Sequence, residues 1–294
     1  MPDHDSPEKL KAFLAICLAA LLWSSGGVVI KLITWEPVLI AWGRAFFGGI
    51  FLLLFTRSRT LRFAPIQIAG GIAYASTSLT FVLAMKLTLA ANVVMLQYTA
   101  PVFASIFGIL MLKEYPRRID WFVLPLVLGG VYLLMADRTM GSSVPGNCLA
   151  LLSGFSLAML TIVMRHQRKT SPLDSIIIGS GMIALCLLPA VIKHVDQISL
   201  WSLNTGLVVF LGAFQAALPF LFFGYAVKRV TAFEATVFKA VEPMINPVWV
   251  YLFTGEKPGL LALTGAVLIL VTVLGRNLII IHRRPGSSSR RKPG

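Results

Sequence analysis

The chain has 294 residues, of which 57% are hydrophobic and 13% charged, with a formal net charge of +14. A soluble domain is about 45–50% apolar and about 25% charged, so this composition excludes a water-soluble enzyme or binding module and points to an all-α integral membrane protein. The excess of lysine and arginine could mean a nucleic-acid partner, a reading its distribution along the chain removes.

Polar punctuation separates ten apolar stretches, at 12–33, 37–56, 65–85, 88–111, 119–136, 146–164, 173–192, 203–227, 231–253 and 259–281. Each approaches the roughly 20 residues a helix needs to cross a bilayer core of about 30 Å. The first, with LLWSSGGVVIK, is too long for a signal-peptide core and lacks a clear cleavage site. Lys31 lies near its end and can snorkel.

The second stretch carries Arg44 about 10 Å from its start at Pro37, with Trp42 two residues before it. The guanidinium can hold a carboxylate through a bidentate contact or bond to carbonyls at a helix end. In the third stretch Tyr74, Ser78, Phe81 and Met85 share one side. The fourth carries Gln97, Tyr98 and Pro101 and ends in Glu114-x-Pro116. The eighth presents Phe214, Leu218, Leu221 and Tyr225 on one side. Either stripe can face lipid, a neighbouring helix or a ligand.

The ninth stretch is the most polar, reading VFKAVEPMINP from Val237 to Pro247. Counted from Thr231, Lys239 lies about 12 Å deep and Glu242 about 16 Å, beyond simple snorkelling. A charge at that depth costs about 2.5–3.5 kcal/mol on insertion scales and normally faces a cavity or a partner. Ala235, Lys239, Glu242 and Asn246 share one helix face. Two readings follow: the face lines a substrate path, or Lys239 and Glu242 neutralise each other and only join helices. Pro101, Pro243 and Pro247 each free a carbonyl one turn back, available to a substrate or spent in a packing kink. In the tenth stretch Arg276 lies near the end and can snorkel.

The loops fix the expected orientation. One set of alternate loops and both termini hold eighteen lysines and arginines; the other set holds Lys86, Arg138, Lys193 and Lys257. Cytoplasmic loops retain such residues, so both termini are expected in the cytoplasm, and the positive charge belongs to one membrane face with no nucleic acid needed. Cys17, Cys148 and Cys186 lack metal or redox spacing.

A shift of 142 residues places Pro101 on Pro243, Glu114 on Glu256, Pro116 on Pro258, Gly70 on Gly212 and Ala84 on Ala226. Five stretches precede the midpoint loop MGSSVPG and five follow, so the two copies should enter the membrane from opposite sides, as in inverted-repeat transporters. The expected organisation is a cytoplasmic N-terminus (1–11), a first five-helix repeat (12–138), a second (145–282) and a disordered basic tail (283–294). Glu114 and Glu256 end their helices just before prolines, where a carboxylate suits the N-terminus of the next helix; the same pair could gate the two faces.

The segments LLWSSGGVVIK, the lone Arg44, MLQYTAP and AVEP, and the LKEYP and TGEKP helix ends resemble the drug/metabolite transporter superfamily, in particular its EamA-type exporters. The resemblance covers residues 12–281 and implies ten helices in two inverted halves that move small solutes by alternating access. Size and layout are most similar to bacterial inner-membrane exporters of amino acids, aromatic ones included. The first helix here lacks the membrane glutamate of the small multidrug-resistance relatives, a departure that bears on protons as the coupling ion.

The substrate face is expected from Lys239, Glu242, Asn246, Gln97, Tyr98, Arg44, Trp42, Tyr74 and Phe81, with Glu114, Glu256, Pro101, Pro243 and Pro247 in gating or capping. No cofactor or metal is implied. The four histidines are scattered, with no HExxH and no phosphate-binding loop, which argues against an enzyme; the loops are too short for a receptor or scaffold. A nucleotide-sugar or phosphate-ester carrier is the alternative, with Lys239 meeting phosphate. Glu242 three residues away favours a zwitterion.

Overall fold

The structure is a computed structural model that describes residues 7–56, 61–100, 102–104, 106–107, 119–137, 141–167, 172–199, 201–226 and 241–282. Among these residues the regular structure is helical. The helices are α1 (Pro7–Ser24), α2 (Gly26–Leu32), α3 (Pro37–Phe55), α4 (Pro65–Leu87), α5 (Ala90–Gln97), α6 (Asp120–Ala136) and α7 (Val144–His166). They continue as α8 (Pro172–Cys186), α9 (Leu188–Lys193), α10 (Leu203–Phe210), α11 (Leu218–Ala226), α12 (Val241–Thr254) and α13 (Leu260–His282). A π-turn, Leu211–Ala217, joins α10 to α11. Helical residues therefore fall within each of the ten apolar stretches.

Five helical segments among the described residues have the length and apolar composition to cross a membrane: Leu14–Leu32, Pro37–Phe55, Pro65–Leu87, Val144–Met164 and Leu203–Phe223. Shorter apolar helices cover Trp121–Ala136, Leu173–Cys186 and Leu260–Thr272.

Proline sets several boundaries. Pro37 and Pro65 open α3 and α4, where the missing N–H would have no intrahelical partner, and the residues before them, Glu36 and Ala64, are held extended by clash with the pyrrolidine ring. Pro189 has the opposite effect in the seventh stretch. It cannot donate to the carbonyl of Leu185, and the helix expected over 173–192 breaks at Leu187 into α8 and α9. Gly255, at φ 71°, ends α12 and returns its N–H to Tyr251 O at 3.0 Å, a left-handed cap that suits glycine.

Helix packing runs mostly between residues 7–136 and residues 144–282. α1 lies against α11 and α12, α3 against α8 and the π-turn, α4 against α7 and α8, α5 against α7 and α12, and α6 against α13. Three of these crossings bring glycine to glycine. A Cβ built on Gly48 would meet Gly212 O at 3.0 Å, and one on Gly179 would meet Gly71 O at 2.4 Å. At the third, Gly130 and Gly265 obstruct each other reciprocally, at 2.9 and 2.6 Å to the opposite carbonyl oxygen. Without side chains the backbones approach closely enough for dispersion contacts to replace the hydrophobic drive that lipid cannot supply.

Candidate functional site

The first span is interrupted at its middle. α1 ends at Ser24 and α2 begins at Gly26, with Ser25 between them in a tightened turn whose N–H reaches back to Leu22 O. Two carbonyls at the break are taken by amide side chains from the second half: Gln215 Nε2 donates to Trp23 O at 3.3 Å and Asn246 Nδ2 to Ser24 O at 2.8 Å. The glycines of SSGG make room for them. A Cβ on Gly26 would lie 2.4 Å from Gln215 Nε2, and one on Gly27 would lie 2.7 Å from Asn246 Oδ1. Trp249 Nε1 donates to Ser24 Oγ at 3.3 Å. Asn246 is 1% exposed, and its Oδ1 has no hydrogen-bond partner, an arrangement that native interiors seldom leave in place.

Gln215 stands in the π-turn, three residues before the helix regains α geometry at Leu218. Pro219 cannot donate an N–H to the Gln215 carbonyl, and the wider turn that precedes it is where such bulges tend to carry function. The same side chain faces a second partner: Arg44 Nε donates to Gln215 Oε1 at 3.2 Å, while Arg44 Nη1 donates to Ser78 Oγ at 2.6 Å. Arg44 is 9% exposed, with Tyr74 in electrostatic reach, and no carboxylate pairs with it among the described residues. A buried guanidinium held only by an amide and a hydroxyl keeps its desolvation cost without a counter-charge.

A second polar group joins α4, α5 and α7. Gln97 Nε2 donates to Ser153 Oγ at 2.8 Å, Ser153 Oγ donates to Thr77 O at 3.1 Å, and the hydroxyls of Ser76 and Ser156 meet at 2.7 Å. Tyr98, which follows Gln97, lies in electrostatic reach of Glu242 on α12. Of the residues singled out in the sequence, Arg44 and Tyr74 thus lie in electrostatic reach of each other, as do Tyr98 and Glu242.

The others fall differently. Lys239, Pro101 and Glu114 lie outside the described residues, and Pro243 and Pro247 fall within α12. Trp42 does not join Arg44: its indole N–H donates to Ala184 O at 3.0 Å and its ring stacks on Phe46, because residues two apart on a helix face apart. The Tyr74, Ser78, Phe81, Met85 stripe is buried inside the protein, Tyr74 edge-on to Phe220 and Phe81 in the main apolar core. Phe214 of the second stripe is 45% exposed.

Glu256 carries a correction. It was expected to serve the helix that follows Pro258, but its Oε2 accepts the N–H of Ala90 at 3.1 Å, in the first turn of α5. Its Oε1 pairs with Lys31 at 2.5 Å, and Lys31 also donates to Thr88 O at 2.8 Å. Asp137 takes the expected place, accepting the N–H of Gly259 at 3.2 Å. Each carboxylate serves a helix start remote in sequence, where free N–H groups and the helix dipole favour an anion. Lys31 is therefore tethered where snorkelling alone was foreseen. Lys86 Nζ donates to Ile33 O, and Thr88, Asn92, Ser142, Ser143 and Asn147 continue the hydrogen bonds at this end of the bundle.

Gln215 and the glycine pair were not among the sequence candidates. The available signal was a lone glutamine four residues before a proline in an otherwise apolar helix.

A family model described as the EamA-like transporter family matches residues 10–136 and again 144–278. The chain is 27% identical over 266 residues to an uncharacterized transporter of Archaeoglobus fulgidus, covering 88% of this chain and 94% of that protein. It is similar to two uncharacterized transporters of Bacillus subtilis: YwfM, 27% identical over 273 residues (89% of this chain, 92% of that one), and YdfC, 28% identical over 269 residues (86% of each). A solved crystal structure aligns at a TM-score of 0.64 with 19% identity, covering 97% of this chain and 99% of that one, a likeness of fold.

Proposed function

The chain belongs to the EamA-like transporter family, and on that premise we propose that this membrane transporter exports amino acids, aromatic ones included, across the inner membrane by alternating access. One observation carries the reading: a buried Arg44, with no carboxylate partner among the described residues, is linked through the break in the first span to Asn246, one helical turn from the half-buried Glu242. The links between them are short, from Arg44 through Gln215 to Trp23 O, then from Ser24 O through Asn246 to Glu242 one turn away on α12. A zwitterion complements both charges. Its carboxylate would take the Arg44 guanidinium, its ammonium would meet Glu242 and the unfilled Asn246 Oδ1, and Lys239 would bring a second cation to the same face.

Ten spans in two inverted halves, with both termini cytoplasmic, complete the reading. Support comes from the eighteen-to-four loop asymmetry, the double match of the family model and the reciprocal pairing of helices: α1 meets α11 and α12 much as α7 meets α4 and α5. In this orientation the Lys31–Glu256 end faces outward.

The test is uptake into proteoliposomes over an amino-acid panel, with and without a pH gradient. Phenylalanine is expected to move, Lys239→Met and Glu242→Gln to weaken its movement without loss of thermal stability, and Glu242→Gln to flatten any pH dependence. Competition by phosphate esters with no amino acid moved would overturn the reading in favour of a phosphate-ester carrier.

A further inference from the structure

The geometry points to Gln215 as the positioning residue that makes this site select for a substrate carboxylate, by holding Arg44 without neutralising it. The inference rests on the reading of Arg44 as the carboxylate site and goes beyond it. Gln215 is 2% exposed and is used at both ends: Oε1 accepts from Arg44 Nε, and Nε2 donates to the freed carbonyl of Trp23. It therefore fixes the guanidinium relative to the break in the first span, and a Cβ at Gly26 would displace it. A glutamate has the same length and would reach the same nitrogen. Its charge would satisfy Arg44 inside the protein, as an opposite charge at hydrogen-bond distance does, and a substrate carboxylate would then face a neutral pair. The amide supplies the geometry of an acceptor with no net charge, which leaves the cation to the substrate.

The test compares phenylalanine with phenethylamine, which lacks only the carboxylate, as substrates of the purified full-length protein in proteoliposomes. Gln215→Glu should lower phenylalanine uptake by about tenfold or more, with the ratio of phenethylamine to phenylalanine uptake rising by a similar factor, since a site built around one polar group discriminates strongly against its mismatch. Gln215→Met removes the amide without adding charge, so Arg44 keeps its cation but loses its fixed position, and the ratio should rise by less than in Gln215→Glu. A purely structural Gln215 predicts that both variants lower both probes alike, and that result would overturn the inference. Ser78→Asp places a carboxylate on the other arm of the same guanidinium and should reproduce the change in ratio, so the test stands even where Gln215→Glu fails to accumulate; an unchanged ratio there also counts against it. Wild-type protein that moves no amino acid would sink the function itself. Wild-type transport of phenylalanine with an unaltered ratio in Gln215→Glu would sink this inference alone.

Discussion

Two polar regions of the molecule treat charge in opposite ways. At the end built by Lys31, Thr88, Ala90 and Glu256, a cation meets an anion directly, and each has a further backbone partner. At the break in the first span, the cation Arg44 meets an amide and a hydroxyl. The end is internally complete, so it can act as a fastening between α2, α5 and the segment after α12. The centre is incomplete in charge while well determined in geometry, which is the condition for binding something that arrives from outside the protein. Buried ionisable groups in membrane helices mark function by default, and the contrast sets Arg44 apart from the groups that hold helices together.

The sharpest way to break this comparison is to neutralise its centre. Arg44→Gln should abolish most phenylalanine uptake, by about a hundredfold, because truncating one partner of a buried charge pair costs 2–5 kcal/mol or more. Its melting temperature should not fall, since the cation it removes has no counter-ion among the described residues. A melting temperature that collapses, with transport retained in the surviving protein, would make Arg44 a structural cation like Lys31.

The fastening is tested by a smaller effect on access. In a background without Cys17, Cys148 and Cys186, a Ser142→Cys probe reports on the same end, where Asn92 donates to Ser142 Oγ at 3.4 Å. Lys31→Met and Glu256→Gln should each raise its labelling by an impermeant maleimide by about tenfold, the equivalent of 1.4 kcal/mol in the opening equilibrium. Unchanged labelling would detach the ion pair from opening. In intact cells the same probe should label while Ser287→Cys does not, as the loop charges require; equal labelling would reverse or dissolve the orientation.

The smallest effect refines the centre. Ser78→Ala removes one hydrogen bond to Arg44 but leaves Gln215 in place, and should raise the phenylalanine KM about threefold, the scale of one ordinary net hydrogen bond. A loss equal to that of Arg44→Gln would mean that Ser78 itself touches the substrate.

Much of this was legible in the chain. Pro37 and Pro65 start helices because a proline N–H is dispensable there, and helical residues fall within every apolar stretch, although the first, seventh and eighth are interrupted. Depth alone marked Arg44 and Glu242. The partners were harder to read, because they lie far apart along the chain: 171 residues separate Arg44 from Gln215, and 166 separate Ala90 from Glu256. Trp42 looked close to Arg44 by number, but helical rotation sends neighbours two apart in different directions. The π-turn shifts the facing of everything around it, so no fixed period would have turned Gln215 inward. Asn246 follows Glu242 by one helical turn on α12, and half of its amide is committed to Ser24 O.

The glycine crossings carry a consequence for biosynthesis. Gly48, Gly71 and Gly130 each meet a glycine that the ribosome adds later: Gly212, Gly179 and Gly265. Synthesis proceeds from the N-terminus at about 5–20 residues per second, so the earlier helices must wait in the bilayer with their smooth faces open to lipid. Arg44 waits too, since the amide that receives it arrives 171 residues afterwards. Nascent chains halted before Gln215 would therefore hold the Arg44 guanidinium through Ser78 alone, leaving a cation in the membrane for a chaperone or quality-control protease to recognise.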